Sequence, residues 1–164
     1  MKIEYLVKSS KDLTKEEIRQ FRVLLDKQGQ VDSSEGKAER CFKICLVKLD
    51  GNAIGIGALK QVYKTPFDYA KIPEIKENYN YELGYLFVDK DNIKANFQGL
   101  GIGKYITKLL LNEIKNENVF ATTELNEKNS MYHILKSFNF ESIGNTYKGQ
   151  KTNKTICLMV SDNI

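Results

Sequence analysis

The chain has 164 residues, of which 41% are hydrophobic and 28% charged, and its net charge is +4. That length suits one domain with a single sizeable core, here expected over residues 1–164, and the composition is unlike that of a disordered chain. No run of eighteen apolar residues could span a bilayer, and Met1 to Lys11 alternates instead of forming a signal-peptide core, so no membrane partner and a cytoplasmic location are expected.

Ile3 to Val7 alternates as a short strand. At Leu13-Thr14-Lys15-Glu16-Glu17-Ile18 a helix begins: Thr14 can cap it, Glu17 can complete a capping box, and Leu13 can staple onto Ile18. Ile18, Phe21, Leu24 and Leu25 then recur at helical spacing, and Gln28-Gly29-Gln30 ends the helix. Val31 to Glu39 reads as a loop or a short second helix. Phe42 to Lys48 and Ala53 to Val62 are strands joined at Asp50-Gly51, a strong hairpin signal. Gly55 and Gly57 leave one face of the second strand bare for close approach. Tyr63 to Tyr79 holds both prolines and no clear period, so it reads as a long connection.

Tyr81 to Val88 is a third strand, with Tyr81, Leu83, Tyr85 and Phe87 expected on one face. Gln98 to Lys104 is glycine-rich and leads into a helix with Ile102, Ile106, Leu109, Leu110 and Ile114 on one side. Val119 to Thr123 is a strand. Asn129 can cap a helix carrying Met131, Ile134, Leu135 and Phe138, and Phe140 to Ile143 pairs with Thr155 to Val160 to close the chain. This order predicts a mixed three-layer α/β domain.

Some chemistries are excluded. Cys41, Cys45 and Cys157 are odd in number and spread out, and His133 is the only histidine, so neither a disulfide framework nor a metal site is expected. The lysines are interleaved with Asp and Glu, with a local cluster only at Lys148, Lys151 and Lys154, which argues against a nucleic-acid groove.

A glycine-rich turn into a helix gathers backbone N–H groups at the positive end of the helix dipole and so suits a phosphate. The dinucleotide fingerprint fails because Lys104 stands where its third glycine belongs. The nucleotide P-loop fails at Gln98 and Tyr105. The pattern that fits is Gln-x-x-Gly-x-Gly, met by Gln98, Gly101 and Gly103. Here the chain resembles the GNAT superfamily of N-acetyltransferases, and the resemblance extends from Tyr81 through Glu82-Leu83-Gly84-Tyr85-Leu86-Phe87-Val88 to Asn129 and Asn139-Phe140.

The resemblance implies a three-layer sandwich around a mixed, mostly antiparallel sheet of six to seven strands, splayed in the middle, with helices on both faces. It implies acetyl transfer from acetyl-CoA to an amine acceptor. The diphosphate would meet the amides of Gln98, Gly99, Leu100, Gly101, Ile102, Gly103 and Lys104. Leu86, Phe87 and Val88 would contact the pantetheine arm, with a bulge and the oxyanion donor around Val88. Asn129 would join the coenzyme A site, and Glu82 stands where many members keep a general base.

The chain departs from the pattern twice. Leu135 occupies the position of the tyrosine that commonly protonates the leaving sulfur, so Tyr132 is the nearest phenol, with water as the other source and His133 as a further acid–base candidate. The segment Asp89 to Phe97 is about five residues longer than the resemblance leads one to expect. Two other functions fit the sequence: a non-catalytic acyl-CoA-binding sensor on the same fold, and a basic RNA- or protein-binding module. Dimers are common in the superfamily, which makes a second copy a candidate partner.

Overall fold

The structure is a computed structural model that describes residues 2–31, 33–61, 63–92, 101–150 and 152–162. Its elements are β1 (Ile3–Ser9), α1 (Lys15–Gln28), β2 (Cys41–Leu49), β3 (Asn52–Lys60), α2 (Thr65–Tyr69), β4 (Tyr81–Val88), α3 (Ile102–Asn112), β5 (Val119–Glu124), α4 (Ser130–Ser137), β6 (Glu141–Lys148) and β7 (Thr155–Ser161). The strands form one seven-stranded sheet in the order β1-β2-β3-β4-β5-β7-β6. Its β1–β2, β2–β3, β5–β7 and β6–β7 pairs are antiparallel, whereas β4 and β5 run parallel with Tyr81 opposite Val119 and Glu82 opposite Phe120. Parallel neighbours need a crossover connection, and α3 lies within it. The expected mixed, mostly antiparallel α/β architecture is therefore present.

By packing, the chain forms two compact units, residues 1–60 with 85–113 and residues 61–84 with 114–164. In the first, α1 begins as its sequence predicts. The Glu17 amide donates to Thr14 Oγ1 at 3.1 Å and the Thr14 amide to Glu17 Oε2 at 2.9 Å, closing the capping box. Left-handed Gly29 caps the other end, its N–H donating to the Leu25 carbonyl. Phe21, Leu24 and Leu25 then pack on Ile44, Leu46, Ile56 and Ala58 of β2 and β3. Each such side chain contributes about 1.5–3 kcal/mol by leaving water.

The bare strip on β3 is filled by α3. A Cβ on Gly57 would lie 2.6 Å from Ile106 Cγ2 and 3.1 Å from Leu110 Cδ1, so glycine there sets how closely the helix approaches. Along α3, Leu111 is buried and Leu109 only half-buried, a small rotation from the expected stripe. The β2–β3 turn is the predicted one, with both Asp50 and Gly51 left-handed.

In the second unit, Phe67, Ala70, Tyr79, Phe120, Leu158 and Val160 form the core. The stretch expected as a long connection instead folds into α2 and a 3-10 segment at Pro73–Asn78, each with a proline in its first turn, where the missing N–H costs nothing. Between Val31 and Glu39 the outcome is turns leading to a 3-10 segment at Ala38–Arg40. Strand β6 runs on past Ile143 to Lys148, across a register shift between Ile143 and Tyr147.

Candidate functional site

Within the unit of residues 1–60 and 85–113, two elements carry the expected coenzyme A residues other than Asn129. The first is the end of β4. Tyr85 has φ +55°, the only left-handed non-glycine residue within a described β-strand. A left-handed L-residue costs about 1–2 kcal/mol, and strict alternation cannot continue through it. Tyr85 and Phe87 both pack on the core beneath α1. Tyr85 lies three residues before Val88, the residue around which a bulge is expected. Leu86, Phe87 and Val88 follow it, all half-buried.

The second element is the start of α3. Gly101 is its N-cap, with φ +70° and ψ 30°, and among the described residues no side chain caps the helix. A Cβ built on Gly101 meets none of the described residues within 4 Å. Ile102 is buried, Gly103 half-buried and Lys104 exposed, and no acidic residue stands in the first turn. An uncapped first turn presents N–H groups without helix partners, which suits an anion. Gln98, Gly99 and Leu100 lie outside the described residues, as do residues 93–97 of the longer segment.

Two further features of this unit had no local signal, because the partners are some sixty residues apart in sequence. Gln28 Nε2 donates to the Leu86 carbonyl at 2.9 Å. Lys27 Nζ donates to both carboxylate oxygens of buried Asp89, at 2.9 and 2.8 Å. The hydrogen bond to Asp89 raises the Lys27 ammonium above its ordinary value.

The unit of residues 61–84 and 114–164 holds the expected acid–base residues. Glu82 is buried on β4, with 8% of its surface exposed. Burial pushes the Tyr147 phenol up to about 12, and the nearby Glu82 carboxylate adds to the rise, so Tyr147 is neutral at pH 7. The Tyr147 ring lies 5.3 Å from that of Tyr69, whose hydroxyl accepts a hydrogen bond from Gln150. The sequence offered no motif for this group around Glu82.

Asn129 caps α4 as expected. Its Oδ1 accepts from the Met131 amide at 3.0 Å, and its Nδ2 donates to Thr123 Oγ1 and the Glu124 carbonyl, both at 3.0 Å. Both amide hydrogens are thus engaged, which ties α4 to the end of β5. Tyr132 is half-buried and packs edge-on against His133, while His133 is exposed with its ring bonded to the Glu127 carbonyl. Leu135 is fully buried. Asn139 is left-handed at the end of α4, where the resembled pattern has glycine. All three cysteines are buried and free, and burial pushes the Cys45 thiol up to about 12, which makes it a poor nucleophile. Among the described residues, no helix is long and apolar enough to cross a membrane.

No family model matches the sequence, and no curated protein matches it. Solved structures do match, over almost the whole chain. An acyl-CoA N-acyltransferase from Pseudomonas aeruginosa superposes with a TM-score of 0.69 at 12% identity, covering 97% of this chain and 99% of its own. ElaA from Escherichia coli gives 0.71 at 10% identity, covering 98% and 100%. The chain has the GNAT fold. An aminoglycoside 6'-N-acetyltransferase in complex with coenzyme A shares this fold, with a TM-score of 0.65 at 12% identity over 97% of both chains. Identities this low carry the GNAT fold alone, and the chemistry has to be argued from this chain's residues.

Proposed function

We propose that the chain is a GNAT-superfamily acyltransferase that moves an acetyl group from acetyl-CoA to an amine by direct attack in a ternary complex. One observation carries the reading. Among the described residues no side chain caps the first turn of α3 and none approaches the Cβ position of its left-handed Gly101, and the turn belongs to a fold shared with a coenzyme A-bound acetyltransferase. In this reading the amides of residues 98–104 hold the diphosphate, and Leu86, Phe87 and Val88 guide the pantetheine arm. The whole chain, residues 1–164, acts as one catalytic domain.

The chemistry follows from what the reaction needs. An amine nucleophile must be uncharged, so Glu82 takes its proton directly or through water. The lone pair then attacks the thioester carbonyl, whose oxygen gains negative charge and meets the Val88 N–H. A single well-placed donor of this kind is worth on the order of 10²–10³ in rate. Collapse breaks the C–S bond, the thiolate takes a proton from Tyr132 or from water, and the second proton shed by the nitrogen as it becomes an amide passes through water to that donor. Asn129 supports this half of the site by fixing the start of α4, its amide hydrogens being committed to Thr123 and Glu124.

A second reading, a non-catalytic acyl-CoA sensor, is favoured by Leu135, which is fully buried where the resembled pattern keeps a tyrosine acid. Calorimetric titration with acetyl-CoA, paired with a thiol-release assay over a panel of small amines and peptides, separates the two. Binding with turnover on an amine supports the transferase. Binding with none supports the sensor, and the absence of binding sinks both.

A further inference from the structure

The last turn of α1 holds the chain on both sides of Val88, by a backbone carbonyl before it and a side-chain carboxylate after it. Two residues before Val88, the Leu86 carbonyl accepts from Gln28 Nε2 at 2.9 Å. One residue after it, the Asp89 N–H donates to the Ile54 carbonyl at 2.7 Å, and the Asp89 carboxylate takes two bonds from Lys27 Nζ at 2.8 and 2.9 Å. Asp89 is 1% exposed, and the ammonium that pairs with its charge stands at the surface. An ammonium that meets both oxygens of one carboxylate fixes the place of the residue that carries it.

Gln28 and Lys27 are adjacent, which makes the two bonds one mechanical unit. The helix ends immediately afterwards at left-handed Gly29, so the turn that holds the grip has a fixed stop. The left-handed Tyr85 lies one residue before Leu86. A strand that has just broken its alternation has no intrinsic reason to aim its next amides in one direction. The bond from the Asp89 N–H to β3 supplies part of that constraint, and the side chains of α1 supply the rest.

We propose that Lys27 and Gln28 are positioning residues for acyl transfer, holding Leu86 and Asp89 so that the intervening Val88 N–H points at the developing oxyanion. The proposal rests on the reading of Val88 as the oxyanion donor. The grip acts on geometry and touches neither substrate. Its loss reduces the chemical step far more than acetyl-CoA affinity, because the separate α3 turn that would hold the diphosphate still anchors the coenzyme when the pantetheine contacts of Leu86, Phe87 and Val88 loosen.

The test compares steady-state transfer by Gln28→Leu, Lys27→Met and Lys27→Arg with that of the wild type, on an amine the wild type acetylates. Gln28→Leu and Lys27→Met are expected to lower kcat by about 10- to 100-fold while KM for acetyl-CoA stays within about twofold. Lys27→Arg, which can pair with the carboxylate, restores kcat to within about threefold of wild type. Gln28→Leu leaves the ion pair in place and decides the matter if Lys27→Met does not fold. An unchanged kcat in folded Gln28→Leu, or a loss shared equally by kcat and acetyl-CoA affinity, overturns the proposal while leaving the transferase reading intact. A wild type that binds acetyl-CoA yet turns over no amine sinks the transferase reading and the proposal together.

Discussion

The ammonium of Lys60 lies 4.1 Å from the centroid of the Tyr85 ring, above the residue at which β4 turns left-handed. The same ring meets Phe21 of α1 edge-on, at 6.2 Å between centroids. Backbone strain of about 1–2 kcal/mol at Tyr85 is thus held in place by a cation on the ring face and an aromatic edge from the core.

Tyr85→Ala is expected to remove both contacts without relieving the strain, lowering stability by about 2–4 kcal/mol. Tyr85→Phe keeps the ring and should stay within about 1 kcal/mol of wild type. Denaturant unfolding of the two variants checks this. Equal losses in both would mean that the phenol oxygen, and not the ring, is what matters.

Gly101 offers a cleaner probe of the coenzyme A assignment. Its φ of +70° makes any other residue strained, but a Cβ there meets none of the described residues within 4 Å, so the fold should survive substitution. Gly101→Ala is expected to cost about 1–2 kcal/mol of stability from strain. Gly101→Glu should fold similarly and bind no coenzyme A, since it sets bulk and negative charge where the diphosphate would lie. Titration calorimetry reads the affinity, and retained binding by Gly101→Glu would remove the α3 turn from the site.

Much of this was legible locally. The capping box at Thr14 and Glu17, the Asp50-Gly51 turn and the Asn129 cap are each decided by residues two to four apart, and each forms as its sequence predicts. The close approach allowed by Gly57 was legible as bare surface, though not that Ile106 would occupy it. What the sequence hid depends on distant partners. Lys27 and Asp89 are 62 residues apart, and nothing near either one announces the other. Tyr85 sits in an apparently regular alternating run, and its conformation is set by tertiary packing that overrides the local pattern. In 63–79, aromatic residues without a period concealed α2, which is only one turn long and is held by burial of Phe67 and Ala70.

If Glu82 takes the amine proton, Glu82→Gln keeps the size of a buried side chain and removes only its basicity. Turnover should fall most at the lower end of the pH range, where the amine is almost wholly protonated, and recover partly as alkaline conditions deprotonate it. Acetyl-CoA affinity should be unchanged. The pH–rate profile is the measurement, and profiles of identical shape in variant and wild type would take Glu82 out of the mechanism.

The last prediction concerns stability in acid and turns on Glu17. Burial opposes its ionisation, but hydrogen bonds from Lys8 Nζ and the Thr14 amide outweigh that and hold the carboxyl below the usual carboxylate range. The folded chain therefore keeps Glu17 ionised at pH values where the unfolded chain binds a proton. By linkage, the stabilisation is complete above the unfolded value, near pH 4.5, and is lost as the pH falls through the lower, folded one. Glu17→Gln should lower stability at pH 7 by about 1 kcal/mol, because an amide still accepts at the cap but no longer pairs with Lys8. Below pH 4 the difference should shrink, since the wild type then loses the same charge. Urea unfolding at pH 7 and pH 3 measures both limbs. A difference that holds constant between them would mean that the charge of Glu17 contributes nothing and that α1 is held at its start by the Thr14 cap alone.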